Sequence, residues 1–133
     1  MPEARLALIA ALAVAFGWLV VGLAGLVRPQ STLVVSRLLF PLGALGGVLL
    51  AAAGLAGLAA PPAELVLPLG LPELPMHLRL DSLSAFFLLL LGSAVAGISV
   101  FAAGYFRAGE GTSPGLLCLQ YHVFLASMTL VLL

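Results

Sequence analysis

Two side chains in this sequence could hold a moving proton or cation, and each stands in or beside a long apolar run. His122 lies within the run 116–133, next to Gln120 and Tyr121 and near Ser127. At ~1.5 Å of helix rise per residue it sits roughly 9 Å past Leu116. An imidazole changes charge near neutral pH, so at that depth it could relay a proton. The plainer role is a histidine hydrogen-bonded to a neighbouring helix. Asp81 follows Arg79 closely, where the run 82–106 begins. It could gate the passage of a cation or proton from outside. It could equally cap the helix that starts there. A carboxylate accepts from the free amides of Ser82 to Ser84 and complements the positive end of the helix dipole.

The remaining polar residues point to packing. Ser93, Gly97 and Ser99 form a small, mildly polar stripe on the run 82–106, and small residues let helices approach closely in lipid. His77 lies in a loop with no His or Cys at metal-ligand spacing. Cys118 is the single cysteine, which excludes an internal disulfide and a cysteine-based metal cluster. No glycine-rich phosphate loop, CxxC pair or Ser/His/Asp set is present, so no catalytic residue, cofactor site or metal site is assigned.

The elements that would position Asp81 and His122 are membrane spans. Of the 133 residues only 8% are charged, and mean hydropathy is +1.28. So few charges cannot cover the surface of a water-soluble domain, so the class is an all-α membrane protein with the lipid bilayer as its solvent. Formal net charge is zero, which gives no reason to expect a nucleic-acid partner. Apolar runs at residues 6–27, 38–60, 82–106 and 116–133 predict about four transmembrane helices. A hydrocarbon core ~30 Å thick needs ~20 residues of helix. None of these runs contains Asp, Glu, Lys or Arg.

The first run lacks a basic cluster before it and exceeds the ~7–15 residues of a signal-peptide core, so it reads as a retained helix. Trp18, mid-run, is expected to face other helices rather than the headgroup belt. Arg28-Pro29 ends the first helix, because proline disfavours the αR conformation in the residue before it. Pro41 is expected in the first turn of the second helix, where its missing N–H is harmless. Gly43 and Gly47 form a GxxxG pair on that helix, either a general packing face or a seam between two copies. The loop 61–81 holds Pro61, Pro62, Pro68, Pro72 and Pro75. Its β-type residues around Gly70 and Pro72 predict a short extended hairpin at the membrane surface. Ser113-Pro114 predicts a helix start with Ser at the N-cap and Pro at N1. The last run ends with the chain and has no solvated residue beyond it, which reads as a truncation. Arg28, Arg37 and Arg107 lie on one side, against Arg5 and Arg79 on the other. The first and third connections are therefore expected on the cytoplasmic side, with the N-terminus and the hairpin outside.

The run Leu78-Arg79-Leu80-Asp81-Ser82-Leu83-Ser84-Ala85-Phe86 resembles a segment near the N-terminus of the large antiporter-like membrane subunits. Gly104-Tyr105-Phe106-Arg107, Glu110-Gly111 and Phe124-Leu125-Ala126-Ser127-Met128 match the same family in order and spacing. That family includes the L, M and N chains of respiratory complex I and the large subunits of multisubunit cation/proton antiporters. The likeness runs most strongly to component B of hydrogenase-4, related to membrane subunit 3 of formate hydrogenlyase. The motifs cover residues 76–133, while the first two helices match only in character. The resemblance implies the N-terminal part of a bundle of about 14 helices built on inverted repeats. It implies a multi-pass subunit of the inner (plasma) membrane, with other membrane subunits of a hydrogenase or complex I-like assembly as partners. It also implies coupling of redox chemistry elsewhere to proton movement. The family's buried Glu and Lys residues fall on later helices, so none is carried over. His122 departs from the usually uncharged residue at its place. The first alternative is the large subunit of a multisubunit cation/proton antiporter, and the alternative from another class is a small self-contained membrane protein acting through helix packing, without transport.

Overall fold

The computed structural model describes residues 2–105 and 111–133. Phe106, Arg107 and Glu110, on which part of the third connection, the orientation and two of the motif matches depend, lie outside the described residues. Among those described, four helices are long and apolar enough to cross a membrane. They are α1 (Pro2–Ala24), α2 (Thr32–Leu58), α3 (Ser82–Tyr105) and α4 (Pro114–Leu132). The shortest, α4, has 19 residues and is about 29 Å long, enough for the hydrocarbon core.

Two helices start earlier than the apolar runs. α1 takes in Glu3 and Arg5, and α2 takes in Arg37. The expectation that no span holds a charged residue is therefore corrected. All three side chains are exposed near a helix start, where long stems let charged heads reach water. The early start of α2 has a local cause: the Ser31 hydroxyl accepts from the Val34 amide at 3.4 Å, an N-cap. The helix then widens into a π-turn, Val35–Leu39, before its regular part, Phe40–Leu58. Pro41 stands in the first turn of that regular part. The π-turn falls where a proline would otherwise break the ladder of i→i−4 hydrogen bonds.

Strands β1 (Ala63–Leu71) and β2 (Leu74–Leu80) form an antiparallel hairpin. Pro72 and Glu73 make the turn, with Gly70 at φ +124°, a conformation glycine adopts readily. The register slips between Leu67 and Gly70, where Pro68 cannot donate to the ladder. Glu64 pairs with Arg79 across the strands at 3.8 Å. Both are exposed, so the pair adds little stability. Leu78 and Leu80 turn inward against the helices.

The main helix contact joins α2 to α3, backbone against backbone. A Cβ on Gly47 would lie 2.7 Å from the Ala96 nitrogen, and one on Gly54 2.5 Å from the Leu89 nitrogen. Gly92, from α3, lies against Ala51 in the same way. In lipid, where burial gives helices no hydrophobic drive toward one another, such close approach supplies the contact energy. Gly43 faces His122 and Ser99, and Gly47 faces α3. Both glycines of the GxxxG pair are thus covered inside the chain, and a seam between copies through them is closed. α1 packs on α2 and α4, with Trp18 buried and its Nε1 donating to the Gly43 carbonyl at 3.2 Å.

α4 starts at Pro114 as the Ser-Pro signal predicts, yet the Ser113 side chain makes no capping bond. The Gly115 amide donates instead to the Pro29 carbonyl at 2.9 Å, tying the start of α4 to the turn after α1.

Candidate functional site

α4 buries Gly115, Cys118, His122, Leu125 and Thr129, spaced three and four residues apart along one face. This periodicity turns His122 toward the centre of the bundle. It is fully buried. Its Nδ1 lies 2.8 Å from the Cys118 carbonyl, which can only accept, so Nδ1 carries a proton. The Cys118 sulfur is 3.4 Å from the same nitrogen. Nε2 is buried and has no hydrogen-bond partner among the described residues. It points at the open face of Gly43, where a Cβ would sit 2.6 Å away. Phe40 and Tyr121 wall the ring, with centroids at 6.0 and 5.2 Å.

Beside it, Ser99 of α3 and Tyr121 of α4 share a hydrogen bond of 2.9 Å between their hydroxyls. Ser99 is fully buried, whereas Ser93 and Gly97 are exposed. The expected stripe of Ser93, Gly97 and Ser99 is therefore split between two faces. Ser93 returns its hydroxyl to the Leu89 carbonyl of its own helix at 2.8 Å. The Thr129 hydroxyl likewise donates to Leu125 O at 2.9 Å. Neither extends a chain of polar groups from His122.

Asp81 stands at the far end of α3. One carboxylate oxygen accepts from the Ser84 amide at 2.9 Å, which makes it the helix cap. That amide, foremost, holds the Asp81 carboxyl below its ordinary range, with a smaller contribution from Arg79. Eighteen residues separate Asp81 from Ser99 (99 − 81), roughly 27 Å of helix, so Asp81 and the His122 cluster form no common site. The His77 ring is exposed in β2 and donates Nδ1 to the Pro75 carbonyl at 2.9 Å. No group of three or more His, Cys, Asp or Glu among the described residues could hold a metal.

Protein-family models, curated proteins and solved structures give no match to this chain.

The cluster offers one chemical capacity: a lone pair on Nε2, sealed from solvent, able to accept a proton or a hydrogen bond. Sequence reasoning singled out His122 but missed its setting. The Ser99–Tyr121 bond and the glycine floor depend on how three helices are rotated, which no local pattern states. The alternation of three and four along residues 115–129 was the available signal for the buried face.

The capping role of Asp81 has a direct test. A carboxyl held low in the folded state stabilises it above the usual carboxylate range and loses that contribution as pH falls through its folded value. The protection of the Ser84 amide, its exchange measured against an unstructured amide at the same pH, should therefore be high at neutral pH and fall below about pH 4. Asp81→Ala should show the low protection at every pH. Protection unaffected by both changes would remove the cap from the account.

Proposed function

We propose that this chain is the N-terminal helical part of a proton-translocating membrane subunit, in an inner-membrane assembly of hydrogenase-4 or complex I type. Redox reactions belong to peripheral subunits, and the full membrane subunit couples them to proton movement. The four helices and the hairpin supply frame rather than ion path. The run Leu78–Phe86 carries this reading, because its order and spacing resemble the antiporter-like subunits over consecutive residues. The role of its acidic residue is in keeping with the reading, since Asp81 caps α3 and fixes the junction between hairpin and helix.

The charge distribution also supports a framing role. Every charged side chain among the described residues lies near a helix start, in the hairpin or in a connection. Among the described residues, the one buried side-chain nitrogen or oxygen left without a hydrogen-bond partner is His122 Nε2. A transported charge needs successive groups through ~30 Å of hydrocarbon.

Purification from native membranes through a tag on the chain tests the assignment. Hydrogenase-type subunits bearing iron–sulfur clusters should accompany it. Recovery with small antiporter subunits, or of the chain alone, would overturn it.

A further inference from the structure

His122 Nε2 is a buried acceptor without a partner, and the hydroxyl pair beside it holds a surplus donor. A hydroxyl carries one proton, so Ser99 and Tyr121 bring two. Their mutual bond of 2.9 Å uses one of them. The other hydroxyls on these helices are spent differently. Ser93, Ser127 and Thr129 each donate to the carbonyl four residues back on their own helix. Ser99 is fully buried and turns instead to Tyr121.

The surplus donor and the orphan acceptor border one point. A Cβ on Gly43 would lie 2.6 Å from His122 Nε2 and 3.4 Å from Ser99 Oγ. Glycine leaves that point to a hydrogen atom, and the two polar atoms reach it from α4 and α3. They make no direct hydrogen bond. Polar groups that share a buried space without bonding each other are the setting in which a water bridges. Phe40 and Tyr121, which wall the imidazole, also line a crevice of about 260 Å³ at the junction of α2, α3 and α4. The space at Gly43 therefore lies one ring deep behind that crevice.

We infer that Gly43, Ser99 and His122 form a binding site for one structural water, which accepts from the Ser99 hydroxyl and donates to His122 Nε2. Tyr121 donates to Ser99, and His122 Nδ1 donates to the Cys118 carbonyl. All the bonds then run one way, from Tyr121 to Cys118. The direction is fixed at its end, because a carbonyl can only accept and so holds the proton on Nδ1. The donor set suits water and not a metal ion. It offers one imidazole nitrogen and one hydroxyl, and the Cys118 sulfur lies by the other ring nitrogen, 3.4 Å from Nδ1. The water ties α3 to α4 over the floor that α2 supplies. The chain of bonds stops at a backbone carbonyl, so it carries no charge across the bundle. The inference rests on contacts inside the chain and not on the assembly proposed above.

The test uses the full chain in phosphatidylcholine vesicles, labelled with nitrogen-15 histidine and carrying His77→Gln to leave a single imidazole signal. Solid-state NMR follows magnetisation from water protons to His122 Nε2. The nitrogen should receive that transfer and resonate at lower frequency than an imidazole acceptor free of hydrogen bonds. Ser99→Ala removes one of the two partners of the water and should lose about half of the transfer. Tyr121→Phe keeps the Ser99 proton and should retain most of it. An Nε2 signal free of hydrogen bonding overturns the inference. So does a hydrogen-bonded Nε2 that receives nothing from water, which would mean direct contact with Ser99. Transfer unchanged in Ser99→Ala also overturns it. Should Ser99→Ala lose helix content, the native spectrum decides alone, since transfer to Nε2 supports the site and its absence overturns it.

Discussion

Gly92→Ala should lower the stability of the bundle by about 2–3 kcal/mol, the cost of forcing a methyl into a close-packed contact. Its Cβ would meet the backbone nitrogen of Ala51 and the carbonyl oxygen of Gly47, which belong to a helix and cannot rotate aside. The only relief is to move α2 from α3 along the contact that dominates the fold. Gly54→Ala should behave alike, since its Cβ would lie 2.5 Å from Leu89 N and 2.7 Å from Ala85 O. Gly97 supplies the control on the same helix. Nothing lies within 4 Å of its added Cβ, so Gly97→Ala should be neutral or stabilise by up to about 1 kcal/mol through helix propensity. Denaturant titration in bicelles, followed by circular dichroism, measures all three. Equal responses at Gly92 and Gly97 would mean that the α2–α3 contact is not as close as described.

Trp18→Ala should cost about 3–5 kcal/mol, the range for removing a large buried aromatic side chain. The ring is 1% exposed and fills the space over Gly46, so its removal leaves a void between α1 and α2. The dispersion attraction that a void forfeits counts fully in a membrane, where helix association depends on packing. Trp18→Phe keeps most of the ring but loses the bond from Nε1 to Gly43 O. It should cost about 1 kcal/mol. The same titration separates the two variants, and a Trp18→Phe loss as large as that of Trp18→Ala would place the energy in the hydrogen bond.

Much of the architecture could be read from composition and punctuation. Length and hydropathy announce the four helices, Ser113-Pro114 marks the start of α4, and the prolines around Gly70 mark the hairpin. What failed is instructive. Arg37 looked like a boundary, yet Ser31 already caps α2 and the helix runs through the arginine. A charge ends an apolar run without ending a helix. Ser93, Gly97 and Ser99 looked like one stripe, but the packing of α3 on α2 buries only Ser99. Gly43 and Gly47 carried a motif that fits contacts within a chain or between chains equally well. Only the position of α3 and of His122 decides between them. At the site, His122 was visible as a residue out of place among aliphatic neighbours. Its acceptor is a backbone carbonyl one turn back, and its floor is a glycine on another helix. Neither partner has a signature in a single sequence.

Proton flux through the isolated chain bears most directly on the account. The chain is reconstituted into vesicles with a pH-sensitive dye inside, and an imposed pH gradient and membrane potential are followed over time. His122 alone cannot carry a charge from one face to the other, so the gradient should decay no faster than in protein-free vesicles, and His122→Phe should change nothing. A gradient that collapses faster with the native chain, and recovers its normal decay with His122→Phe, would contradict the account.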